Sequence, residues 1–360
     1  MLLLASAHEG AMRRRVRPAL AGMLIGGAWF ATSPVSAQVQ QLIDSCGKDA
    51  SALSPSQRIE SCTALIQSGG VFGQGLSWAY ENRCSAYAAN GQADLAIADC
   101  NRAIEFDPTG PAYVARGNAF YARGDADQAI GDYNRAISLN SKDAAAYVNR
   151  GKAFYAKGDN DRAIADYSQA IQLDRTAHPY NSRGDAYLSK GDYEHAIADY
   201  DRVVELDKNN PRVFLKRGVA NLYLGAVQKA AADLSRSSEL DPHDPYTAIW
   251  LDILGKRSRG TGQLAKAATS IDMNKWPAPI VRLYLGQITA ADANAAATNG
   301  DTATKKAQTC EANFYGGKFA SQRGKKDEAR RLFELAAAEC PKSFLEYGAA
   351  NSELRTLRPK

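Results

Sequence analysis

The stretch Arg116-Gly117-Asn118-Ala119-Phe120-Tyr121-Ala122-Arg123-Gly124-Asp125, continued by Ala129-Ile130-Gly131-Asp132-Tyr133-Asn134-Arg135-Ala136-Ile137, decides the fold because it returns. Its Arg-Gly pair recurs as Arg150-Gly151, Arg183-Gly184 and Arg217-Gly218 at intervals of 34, 33 and 34 residues, and Arg83-Cys84 stands 33 residues before it. Gly91, Gly124, Gly158, Gly191 and Gly225 break each copy into two helices. No segment alternates at period two for long enough to make a strand. The expectation is an all-α chain, a stack of helical hairpins.

The period near 34, with a small residue at place 8, aromatics at places 11 and 24, Gly at 15 and Ala at 20 and 27, resembles the tetratricopeptide repeat. The resemblance implies an α-α superhelix that holds another protein chain. Five full repeats begin near Ser77, Gly110, Ala144, Ala177 and Pro211 and cover 77–244. Residues 38–76 read as a degenerate cap hairpin, as a terminal unit with one flank in water requires. Residues 245–309 read as an eroded repeat with connecting helices, including one over Trp276–Thr289. Residues 310–360 read as a repeat-like hairpin and a closing helix over Phe344–Leu357.

Residues 1–37 read as an export leader. Arg13, Arg14, Arg15 and Arg17 precede the apolar stretch Ala19–Ala31, and Val35-Ser36-Ala37 offers a cleavage site before Gln38. Met12 places those arginines directly after an initiator. These residues carry four Arg and one Glu, so the full-chain charge of +5 falls to +2 without them. That balance does not point to nucleic acid or an anionic membrane. No later apolar run is long enough for an integral span, so a soluble periplasmic protein is expected.

The six cysteines fall into pairs centred on hairpin turns: Cys46 with Cys62, Cys84 with Cys100, and Cys310 with Cys340. Facing residues of an antiparallel hairpin are equidistant from its turn, which selects this connectivity. Around the first turn, Ser54-Pro55-Ser56-Gln57 reads as an N-cap, a Pro at N1 and a capping-box Gln. No Cys-x-x-Cys occurs. His178, His195 and His243 have no metal-ligand spacing. No catalytic residue, metal site or cofactor emerges, and the chain is not expected to be an enzyme.

Arg at place 7 (Arg83, Arg116, Arg150, Arg183, Arg217) is matched by Asp at place 23 (Asp99, Asp132, Asp166, Asp199, Asp233), which predicts an ion-pair ladder. Pairs of this kind contribute little if they are exposed. The first helices line a concave face at places 2, 5, 6, 9, 12 and 13. Those places give Asn82, Asn118, Tyr121, Asn149, Lys152, Tyr155, Asn181, Arg212, Lys216 and Tyr223 as candidate partner-binding residues. An Asn row can hold an extended backbone whatever its sequence, and Tyr adds contact area at low entropy cost. The alternative is a plain solvated polar face. Relative to carboxylate-clamp repeats, Asn118 and Asn149 match, while Val114, His178 and Ser182 stand where cations belong.

Cys310-Glu311-Ala312-Asn313-Phe314-Tyr315-Gly316-Gly317-Lys318, with Ala329-Arg330-Arg331-Leu332-Phe333 and Glu353-Leu354, resembles the end of NlpI-like periplasmic lipoproteins, as does Trp276–Thr289. The resemblance implies a dimeric envelope adaptor that docks peptidoglycan hydrolases and a C-terminal-processing protease. No lipobox cysteine follows the leader, so a lipid anchor does not carry over. A structural subunit of an envelope secretion or polysaccharide-export assembly is the alternative.

Overall fold

The computed structural model describes residues 34–47, 53–257, 264–297 and 300–357. The leader lies outside the described residues as far as position 33. Nineteen α-helices and no strand occur among the described residues. Helices α1 (Pro34–Cys46) and α2 (Pro55–Gln67) form the first hairpin. Five more follow: α3 (Gln74–Ala89) with α4 (Ala93–Phe106), α5 (Gly110–Arg123) with α6 (Ala126–Leu139), α7 (Ala144–Ala156) with α8 (Asn160–Leu173), α9 (Ala177–Lys190) with α10 (Tyr193–Leu206), and α11 (Pro211–Tyr223) with α12 (Val227–Leu240). Each helix packs on its partner and each hairpin on the next, which makes a solenoid. Ser54 and Gln57 form the expected capping box.

Small residues set the helix spacing. Ala86, Ala119, Ala153, Ala186 and Ala220 on the first helices, and Ala96, Ala129, Ala163, Ala196 and Ala230 on the second, are fully buried. At Gly151 a Cβ would sit 2.7 Å from Cε1 of Tyr167, inside contact distance. Gly117 against Tyr133 and Gly184 against Tyr200 repeat that arrangement. Gly131, exposed on α6, has nothing within 4 Å of an added Cβ. Gly131→Ala is therefore expected to stabilise by about 0.5–1 kcal/mol through helix propensity. Gly151→Ala is expected to destabilise by about 1–3 kcal/mol through overpacking. Thermal unfolding of the two variants should move in opposite directions.

The Arg–Asp ladder is formed, and its members are not surface pairs. Arg150 Nε and Nη2 donate to the two oxygens of Asp166 at 2.8 and 2.7 Å, and the Asp166 side chain is only 8% exposed. The remaining nitrogen, Nη1, reaches back to Asn134 Oδ1 on the preceding hairpin at 2.7 Å. Arg83 likewise reaches Thr63, Arg116 reaches Asn101, Arg183 reaches Ser168 and Arg217 reaches Asp201. Each arginine thus joins three helices across two hairpins. The small energies of exposed pairs do not apply here.

Beyond the fifth repeat the chain changes character. It forms α13 (Pro245–Arg257), α14 (Leu264–Ala267), α15 (Ala278–Tyr284), α16 (Ala290–Ala295), α17 (Thr302–Gln322), α18 (Lys326–Glu339) and α19 (Leu345–Thr356). The helix expected over Trp276–Thr289 is confined to α15. Pro277 and Pro279 stand at its start, and Gly286 with φ +73° stops it. One core joins α11 to α19 around the fully buried Trp250, which packs 6.1–6.3 Å from the rings of Tyr223, Phe314 and Tyr315. Two carboxyls enter it. Glu311 accepts from Tyr246 Oη at 2.6 Å and Trp276 Nε1 at 2.8 Å, and Glu346 accepts from Tyr315 Oη at 3.3 Å. Burial, then the Glu311 charge, pushes Glu346 up to about 8.

The chain then folds back. Residues 342–343 and α19 lie across the first helices of the middle repeats. Tyr155 Oη donates to the Ser343 carbonyl at 2.7 Å, Ser189 Oγ donates to the Lys342 carbonyl, and Tyr193 Oη donates to Ser352 Oγ at 2.6 Å. A Cβ at Gly348 would stand 2.7 Å from the backbone oxygens of Leu188 and Ser189. Only a glycine lets α19 seat on α9 at this distance.

Candidate functional site: the open half of the concave face

This return divides the concave face. Its C-terminal half is covered by the chain itself, and three residues predicted to bind a partner are internal contacts instead. Tyr155 holds Ser343, and burial first, then Asp185, pushes its hydroxyl well above the usual tyrosine range. Lys216 Nζ contacts both oxygens of Asp185 at 2.8 and 2.7 Å, and Asp185 Oδ1 also accepts from Tyr200 Oη at 2.7 Å. Tyr223 is stacked on Tyr193 at 5.1 Å and lies under Lys318 Nζ at 5.5 Å. Lys318 is neutralised by Glu353 at 2.7 Å.

The N-terminal half stays open, with Asn82 on α3, Asn118 and Tyr121 on α5, and Asn149 and Lys152 on α7. Its amides are not equivalent. Asn82 Nδ2 already donates to the Trp78 carbonyl at 2.8 Å within its own helix. Asn118 Oδ1 accepts from Tyr133 Oη at 2.8 Å, which leaves its NH2 for a ligand. Asn149 and Asn181, both half-buried, have no side-chain hydrogen bond to the described residues. Tyr121 is 38% exposed, and partial burial raises its hydroxyl. Arg212 is exposed on α11.

Lys152 is half-buried without an acidic partner among the described residues, and burial lowers its pKa. His178, exposed at the start of α9, is lowered by its own partial burial and then by the Lys152 charge. The sequence reading passed over Glu81, at place 5 of α3. Burial first, then Asp107, pushes it up to about 7. Its place in the repeat was the available signal. No group of three or more metal-ligating side chains occurs among the described residues, and no helix among them is long and apolar enough to cross a membrane.

Against protein-family models, residues 117–158 and 184–225 match a TPR repeat model, and residues 144–176 and 79–109 match tetratricopeptide repeat models. No curated protein matches the chain. Among solved structures, a tetratricopeptide repeat protein from Parabacteroides merdae ATCC 43184 is 15% identical, with 78% of this chain and 98% of that one covered and a TM-score of 0.47. YrrB, described as a TPR protein with an unusual peptide-binding site, is 18% identical over 52% of this chain and 96% of its own, TM-score 0.44. MamA from Desulfovibrio magneticus RS-1 is 18% identical over 44% and 91%, TM-score 0.42. The hairpins between residues 79 and 225 are tetratricopeptide repeats.

Proposed function

We propose that the protein is a non-enzymatic periplasmic scaffold whose open concave half, α3 to α7 with the start of α9, holds an extended segment of a partner protein. One observation carries this reading. On the adjoining half, hydroxyls of Tyr155 and Ser189 hold the successive main-chain carbonyls of Ser343 and Lys342, so the face already binds a passing backbone. The open half presents amides in the same role. The leader-like residues 1–37 and the three buried disulfides support an oxidising, exported setting. The C-terminal resemblance supports a peptidoglycan hydrolase or a processing protease as partner.

Asn149 and Asn181 give the cleanest test, because neither is tied internally, whereas Asn118→Ala would also orphan the Tyr133 hydroxyl. Asn149→Ala with Asn181→Ala should weaken capture of a cross-linked periplasmic partner by about 1–3 kcal/mol with melting temperature unchanged. Normal capture by that variant would make the face bystander surface. The mature protein should start at Gln38 in the periplasmic fraction; an N-terminus retaining residues 13–37 would remove the localisation.

A further inference from the structure

Two half-buried ionisable side chains of opposite type line the open half, and neither forms an ion pair among the described residues: Glu81 on α3 and Lys152 on α7. Leaving a half-buried ion unpaired is costly, and the half-buried lysines of the covered half avoid it. Lys216 is paired with Asp185, and Lys318 with Glu353. The charge that acts on Glu81 is of the same sign, from Asp107 at the end of α4. Lys152 in turn acts on the His178 ring, which becomes a second cation when protonated. Both ends of the open half are therefore polarised towards something absent from the chain: a cation at α3 and an anion at α7.

Spacing turns this polarity into a pattern. The first helices stack in order, α3 on α5 and α5 on α7. Two helix-to-helix steps of about 8–10 Å each separate the charges. An extended chain covers that span in about six residues at roughly 3.3 Å each. Asn118 on α5 lies between with its NH2 free to hold the backbone, and Asn149 stands one turn before Lys152 on α7. On the covered half, Lys342 and Ser343 cross as mid-chain residues that run on into α19, so the face accepts a chain passing through and not only a terminus.

We propose that the open half selects an extended protein segment carrying one basic and one acidic side chain about six residues apart, the basic one over Glu81 and Asp107 and the acidic one on Lys152. This rests on the scaffold reading and adds the chemistry of its ligand. Four end-blocked, fluorescein-labelled Ser/Ala peptides test it by anisotropy with the full-length mature protein: one with Lys and Glu at that spacing, one with Lys replaced by Gln, one with Glu replaced by Gln, and one with both replaced. For the unmodified protein, losing the peptide Glu should weaken binding about tenfold, and losing the Lys several-fold, as expected of partly desolvated charge pairs.

Lys152→Met should abolish discrimination at the Glu end only, and Glu81→Gln at the Lys end only. Lys152→Arg should keep it, and unchanged helicity should show that the variants fold. Discrimination that survives in Lys152→Met and Glu81→Gln overturns the proposal. So does equal binding of all four peptides; if Asn149→Ala with Asn181→Ala then weakens them all alike, the scaffold reading stands and only the charge pattern falls. If no peptide binds, both readings fall.

Discussion

Arg150→Ala is expected to cost about 3–5 kcal/mol, because it leaves a buried carboxylate without its counter-charge. Asp166 is 8% exposed and takes both of its strong bonds from the one guanidinium. The same substitution frees Asn134 on the preceding hairpin and removes a cation 5.5 Å from the Tyr147 ring centre. Arg150→Lys should rescue little, since a single ammonium cannot bridge two carboxylate oxygens and Asn134 at once. Arg102→Ala is the control. Its pair with Glu105 is 64% and 60% exposed, and its loss should stay within about 0.5 kcal/mol. Urea unfolding followed by circular dichroism measures both. A loss below about 1 kcal/mol for Arg150→Ala would show that water reaches Asp166 and that the ladder does not hold the stack together.

The ladder also marks where sequence reading succeeds and where it stops. Arg at place 7 and Asp at place 23 were legible because a hairpin pairs residues equidistant from its turn. The third partner, at place 25, was not legible. It varies among Asn101, Asn134, Ser168 and Asp201, residues that share only an oxygen acceptor, so no letter repeats. Turn glycines and cysteine pairs were legible for the same local reason. The covered half of the concave face was not. Tyr155 meets Ser343 across 188 residues and Ser189 meets Lys342 across 153, whereas repeat logic describes only neighbours. Tyr155 and Tyr223 therefore read as open-face aromatics, although the return of α19 turns them into internal contacts. Lys216 was misread for a different reason. Its partner Asp185 is one hairpin back, at a place where the other repeats carry Ser85, Asn118, Lys152 and Val219.

Replacing Cys84 and Cys100 together with serine is expected to lower stability by about 3 kcal/mol. The bond closes a loop of sequence separation 16, and its removal restores that loop's entropy to the unfolded chain. Both sulfurs are fully buried among Ala96, Ile97, Ala115 and Ala119, so two serine hydroxyls would also enter an apolar cluster. The position offers a sharper comparison. In the next three repeats a glycine and the ring of Tyr133, Tyr167 or Tyr200 occupy these same two places. Cys84→Gly with Cys100→Tyr should restore that packing without a covalent bond. Ser85 stands where Asn118 accepts the Tyr133 hydroxyl, so the introduced ring would find an acceptor as well. The Gly/Tyr variant should therefore regain part of what the Ser/Ser variant loses, and a reducing agent should then act on it only through Cys46–Cys62 and Cys310–Cys340. Thermal unfolding with and without reductant gives both numbers. If the Ser/Ser variant melts with the unmodified protein, the bond adds nothing that the repeat packing does not already supply. If the Gly/Tyr variant melts below the Ser/Ser variant, the first repeat has lost the helix spacing shared by the others, and the disulfide is then an adaptation of its shape.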